Sequence, residues 1–142
     1  MNITLTHDVA MVTVNNIPND TGNLVKILST IADLDVNIDM ISQTAPLLDK
    51  FNLSFSLSQS DLDKIMEATK TFKKISPSIS TEINGYNAKI TFKSEKMKDE
   101  SGTASSIFSQ LYKNGVSVKM ITTAETEISC LIDEKDASKF KI

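Results

Sequence analysis

An internal repeat constrains this chain more than any other feature. Residues 18–44 lie over residues 98–124 without a gap, setting Gly22 on Gly102, Ile27 on Ile107, Ser29 on Ser109, Val36 on Val116, Met40 on Met120 and Ile41 on Ile121. After a shorter loop the match resumes: Leu53, Ser54, Phe55 and Leu57 meet Ile128, Ser129, Cys130 and Ile132. Such self-similarity marks one structural unit used twice. The 142 residues hold two units of about 70, each near the size at which a single core is marginal.

Each copy reads as strand, helix, strand, strand, helix. Ala10, Val12 and Val14 alternate with Met11, Thr13 and Asn15, the two-residue period of a strand. Leu24, Ile27, Leu28, Ile31 and Leu34 follow helical spacing and form one apolar stripe. Val36, Ile38 and Met40 alternate again, as do Phe51, Leu53, Phe55 and Leu57 against Asn52, Ser54, Ser56 and Ser58. Ser60, Asp61 and Asp63 predict the start of a second helix, with Leu62, Ile65, Met66, Thr69 and Phe72 as its buried stripe. Ile79, Thr81 and Ile83 supply a last strand, and Asn84-Gly85 is expected to turn the chain onward. The second copy repeats the course through Ala88, Ile90 and Phe92, a helix at Ala104–Leu111, strands at Val116–Thr122 and Thr126–Ile132, and a short helix from Asp133 or Glu134.

Strand counting then suggests how the copies interlock. The second copy lacks a final strand, whereas Ile3 and Leu5 precede the first copy's opening strand. Residues 2–6 are therefore expected to complete the second sheet, so that a first unit (8–85) is inserted in a second (86–142 with 2–6). The fold class is α+β: two ferredoxin-like βαββαβ units, each an antiparallel sheet with helices on one face.

Little in the chain supports catalysis. Net charge is −3 and the pI is near 5.1, against a nucleic-acid surface. All 15 basic residues are lysines, so an anion must be held by backbone N–H groups, lysines, amides or hydroxyls rather than by an arginine fork. His7 has no motif around it, and Cys130 shares an apolar strand face with Ile128 and Ile132. The spacing suggests no metal ligands, no cofactor and no phosphate loop. No apolar run approaches the roughly 20 residues that span a bilayer, and the N-terminus has no secretory pattern. A lone cysteine fits a reducing cytoplasm.

The candidate binding element is the loop Ile17-Pro18-Asn19-Asp20-Thr21-Gly22-Asn23. Gly22 allows close approach to the backbone, and the helix behind it offers unpaired N–H groups and a positive dipole end that suit a carboxylate. Asn19, Asp20 and Asn23 suit an ammonium or hydroxyl. The same residues would turn the chain and cap a helix in any protein, and spacing alone favours that plainer role.

Three stretches carry a resemblance to a known family. Val12 to Gly22 looks like the opening of an ACT domain, a strand running into a Pro-Asp-x-Pro-Gly type of loop. Asn37-Ile38-Asp39-Met40-Ile41-Ser42-Gln43 resembles the second strand of the first regulatory domain in aspartate kinases. Asn52 to Leu62 is similar to that family's third strand and Ser-Asp-Leu helix start. Met97, Gly102, Val116 to Glu125 and Ile128-Ser129 carry the likeness through the second copy. The resemblance implies a non-catalytic regulatory module that binds a free amino acid, lysine or threonine, as an allosteric sensor. It also implies a homodimer and, as a further partner, a metabolic enzyme. Carried over by position, the loop contributes Asn19, Asp20, Thr21, Gly22 and Asn23, and the second strand Asn37, Ile38 and Gln43. The second copy's counterparts are Asp99, Ser101, Gly102 and Ser117.

Three positions depart from the family pattern. Asn19 is an amide where a carboxylate is usual, Thr21 replaces a proline, and Ser117 replaces an asparagine. They motivate the alternative of an oligomerisation module with no ligand. An aspartate kinase also has a large N-terminal catalytic domain, so the chain reads either as a free-standing ACT protein or as a detached regulatory fragment of such a kinase.

Overall fold

The computed structural model describes residues 1–140. Its strands are β1 (Asn2–Pro18), β2 (Ile41–Gln43), β3 (Lys50–Ser58), β4 (Ser80–Lys93), β5 (Val118–Ala124) and β6 (Glu127–Asp133). Its α-helices are α1 (Thr21–Asp33), α2 (Leu62–Ile75) and α3 (Thr103–Lys113), with 3-10 turns at Gln59–Asp61, Glu95–Lys98 and Glu134–Lys139. Taken unit by unit, the strand order is β2-β3-β1-β4 over residues Ala10–Gly85 and β1-β4-β6-β5 over the rest. The pairings β2–β3, β4–β6 and β5–β6 are antiparallel. The chain divides into two compact units, one of residues Ala10–Gly85 and one of Met1–Val9 with the chain from Tyr86 onward.

Within Ala10–Gly85, the inward positions of β1 and β3 meet the apolar stripes of both helices. Val12, Val14, Phe55, Ile27, Ile65 and Phe72 are fully buried there. Each such side chain contributes roughly 1.5–3 kcal/mol by leaving water. On β3 Phe51, Leu53, Phe55 and Leu57 are buried and Asn52 and Ser54 are half-buried, but Ser56, expected on the wet face, is buried as well. Thr13 and Ser54 hydroxyls meet at 2.9 Å on the other face. In the second unit, Ala88, Ile90, Phe92, Ile128, Cys130 and Ile132 pack beneath Ile107 and Leu111 of α3, with Ile3 and Leu5 against them.

Four details differ from the sequence-based expectations. β1 runs unbroken from Asn2 to Pro18 rather than as two strands, and β4 passes straight through Asn84-Gly85 instead of turning. Left-handed residues interrupt both long strands, Asp8 (φ 56°) and Asn16 (φ 60°) in β1 and Tyr86 (φ 60°) in β4. A single left-handed residue redirects a strand without ending its pairing, so a turn dipeptide is not needed. The alternating Val36, Ile38 and Met40 precede the regular strand, which begins at Ile41. There the Ser56 Oγ accepts the Met40 N–H at 2.9 Å, taking a donor that a regular ladder would use. Finally, α2 buries Ala68 beside Ile65 and Phe72, while Met66 is 55% exposed. A small residue lets the helix pack closely, and the long thioether lies outside.

Candidate functional site

The loop between β1 and α1 is held from three sides. The Asp20 Oδ1 accepts the Gly22 N–H at 2.7 Å, and the Asp20 carbonyl accepts the Asn23 N–H at 2.9 Å. The Asn23 Nδ2 donates back to the Pro18 carbonyl at 3.0 Å. Asp20 is thus the N-cap of α1 and satisfies one of its orphan donors. The capping role is present in the geometry. Asn19, Asp20, Thr21 and Gly22 nonetheless remain exposed at the positive end of the helix dipole.

The third restraint comes from the β2–β3 hairpin. Its tip, Leu48-Asp49, takes left-handed geometry at both residues (φ 52° and 62°), and the Asp49 carbonyl accepts the Asn19 N–H at 2.9 Å. Below the tip, the Asn52 Oδ1 accepts the Asn16 N–H at 2.9 Å, and the Asn52 N–H donates to the Thr44 Oγ1 at 2.9 Å. A cavity of about 460 Å³ opens here, lined by Asn16, Thr44, Leu47, Leu48, Lys50 and Asn52 among others. Sequence reasoning missed these residues. The one available signal was Asn16, a residue type tolerant of the left-handed φ of 60° that it adopts.

The expected second-strand residues separate. Gln43 pairs opposite Leu53 and so lies at the hairpin end, the end that carries the loop. Asn37 and Ile38 do not. Asp39 donates to the Ser56 carbonyl, four residues along β3 from Asn52, which is about 13 Å of strand. Asn37 is exposed at that far end, and Ile38 is partly buried against the core. Within one unit these two residues do not meet the loop.

In the second unit, Asp99, Ser101, Gly102 and Ser117 are all exposed. The Ser94 Oγ accepts the Lys96 N–H at 3.3 Å and starts the 3-10 turn before them. α3 begins after Gly102, which is left-handed (φ 85°) and supplies no side-chain cap. The two loops therefore differ: α1 is capped by a carboxylate, and the N–H groups of α3 meet no cap side chain.

The His7 Nδ1 lies 2.6 Å from the Glu134 Oε1. Burial pushes the Cys130 thiol up to about 11, the reverse of an activated nucleophile. Among the described residues no cluster of three or more His, Cys, Asp or Glu could hold a metal ion. No described helix is long and apolar enough to cross a membrane.

The ACT domain family matches residues 90–139. An aspartokinase of Bacillus sp. (strain MGA3) is 31% identical over 132 residues, covering 93% of this chain and 32% of its own. The chain spans about a third of the length of the curated relatives it matches. A crystal structure of aspartokinase alpha and beta subunits superposes with a TM-score of 0.83 at 27% identity, covering 95% of this chain and 88% of that one. The ligand-free regulatory subunit of aspartate kinase from Thermus thermophilus shares the fold, with a TM-score of 0.85 at 20% identity over 96% of this chain and 89% of its own. Residues 90–139 therefore match the ACT domain family, and over nearly its whole length the chain is similar to aspartokinases and shares its fold with a regulatory subunit of aspartate kinase.

Proposed function

We propose that the chain is a non-catalytic regulatory module made of two interlocked ACT units, the first inserted in the second, which senses a free amino acid. The observation that carries this reading is the loop Asn19–Asn23 at the head of α1. It combines exposed backbone, a glycine and a positive dipole end with amides and a carboxylate, the groups that meet a zwitterion. The ligand's carboxylate faces the α1 N-terminus, and Asn19, Asp20 and Gln43 meet its ammonium. Asn37 and Ile38 stand at the other end and join a site only as residues that a second molecule presents. The uncapped loop at Asp99, Ser101 and Gly102, with Ser117, is a second and less elaborated candidate. Lysine and threonine are the first ligands to test, since the relatives are named aspartokinases. Binding acts by differential affinity, favouring one arrangement of the molecule and so changing its affinity for an enzyme partner. The buried lone thiol fits a reducing cytoplasm.

The test is a thermal-shift screen of the whole chain against the twenty amino acids at millimolar concentration. A ligand at a hundredfold excess over its Kd stabilises the native state by about 2.7 kcal/mol, a visible rise in Tm. The expected result is one selective hit that Gln43→Ala weakens without changing the melting temperature of the free protein. A flat screen overturns the sensor reading and favours a purely oligomerising module.

A further inference from the structure

The cavity under the β2–β3 hairpin is lined by hydrogen-bond donors that the described chain leaves unused. The Asn52 Oδ1 is fixed on the Asn16 N–H at 2.9 Å, so the Asn52 Nδ2 stays a donor with no partner among the described residues. The Asn16 side-chain amide and the Lys50 ammonium line the same cavity and have no partner among the described residues either. No described aspartate or glutamate lines it; Asp49, next to Lys50 in the chain, is outside the lining. Lys50 is therefore the one charged group in the described lining, and it is a cation.

Much of the rest of the lining is apolar. Ala45, Leu47 and Leu48 contribute to it, and the two leucines are 76% and 89% exposed. Leu48 is unfavourable on two counts. It leaves an apolar side chain in water, and its φ of 52° is a geometry that asparagine or glycine adopts with less strain. A hairpin turn requires neither, and such outliers gather where a contact depends on them.

We propose that this cavity binds a small apolar monocarboxylate. Its anionic head meets Lys50 and the amides of Asn16 and Asn52, and its branched hydrocarbon body lies on Leu47 and Leu48. Charge decides the class. An anion finds an ammonium and amide N–H donors, whereas a cation finds no carboxylate and is repelled by Lys50. An α-amino acid with the same body carries an ammonium that would lose water without gaining a counter-charge, so the acid lacking that group is preferred. The volume of about 460 Å³ lies within the range of small-molecule pockets. One ion pair and two leucine contacts in an open cavity correspond to a Kd of about millimolar order. The site is separate from the loop Asn19–Asn23 and does not rest on the sensor reading.

Amide chemical shifts of the isotope-labelled whole chain, titrated with isocaproate, its neutral amide isocaproamide, leucine and acetate, test this. The expected result is saturable shifts at the hairpin with isocaproate, and binding there at least tenfold weaker for the other three. Lys50→Gln should weaken isocaproate at least tenfold and leave isocaproamide unchanged. Leu48→Asn should also weaken isocaproate without lowering the melting temperature, a combination that a purely structural leucine does not give. Both positions are exposed, and circular dichroism checks that each variant is folded. Absence of hairpin shifts with isocaproate up to about 10 mM overturns the proposal. So does equal binding of leucine or isocaproamide at the hairpin, or a Lys50→Gln chain that binds isocaproate as the wild type does.

Discussion

The carboxylate of Asp20 accepts the N–H of Gly22 at 2.7 Å, and a Cβ on Gly22 would stand 3.0 Å from that same oxygen. The cap and the glycine are thus one feature. Asp20→Ala should lower stability by about 1 kcal/mol, the usual cost of a lost N-cap, while Asp20→Asn should stay within a few tenths. Gly22→Ala should displace the cap and approach the alanine variant at Asp20. Urea unfolding read by circular dichroism checks all three. Equal stability of Asp20→Ala and the wild type would show that the bond contributes nothing.

The hairpin tip is strained and exposed. Leu48 is 89% exposed with φ of 52°, at the first central position of a turn that favours asparagine, aspartate or glycine. Leu48→Asn should raise stability by about 1 kcal/mol, because it relieves left-handed strain and loses no buried surface. A shift of the urea midpoint to higher concentration at constant m checks it; a lower midpoint would mean that the leucine packs on something in solution.

Lys119 reaches across three strands of the second unit. Its Nζ donates to the Asn87 side chain and, at 2.7 Å, to the Asp133 carboxylate. That hydrogen bond, with the charges of Lys119 and Lys135, holds the Asp133 carboxyl below its ordinary value despite the opposing effect of desolvation. A lowered folded-state value means that the carboxylate contributes stability above the unfolded pKa of about 3.9, and loses it as pH falls through the folded value. The Asp133 side chain is 40% exposed, so solvent screens the effect and it is modest. Asp133→Asn should therefore flatten the acid limb of the Tm–pH curve below about pH 4 and lower Tm at neutral pH. An unchanged acid limb would assign the acid sensitivity to other carboxylates.

Cys130 is fully buried, and burial raises its thiol to about 11. Labelling by a thiol reagent at about pH 8 should be slow in the native chain and rapid in denaturant, the native rate being limited by opening of the unit. Fast native labelling would place the thiol at the surface.

Much of the secondary structure was legible because local periodicity reports burial directly. The alternation in Phe51–Leu57 and the helical stripe through Ile27 and Ile31 are each produced by a single element with one wet side. Errors arose where the neighbour decides. Met66 and Ala68 both fit an apolar stripe, and the closeness of the layer beneath α2 selects the smaller. Val36–Met40 alternates as a strand would, but the Ser56 hydroxyl takes the Met40 amide. The capping loop was readable from Pro18, Asp20 and Gly22, which act within five residues of one another. The cavity at Asn16, Thr44 and Asn52 was not readable, because its walls come from separate strands and are joined by side-chain bonds.

By itself the sequence determined the repeat, the order of helices and strands, and the residues that face inward, since each follows from the chain's own period and turn chemistry. Tertiary structure alone decided that β1 and β4 continue through Asp8 and Tyr86, that Asn19 is tied to the hairpin at Asp49, and that Asn37 stands away from the loop. Those relationships join residues far apart in the chain, and only packing brings such residues within reach of one another.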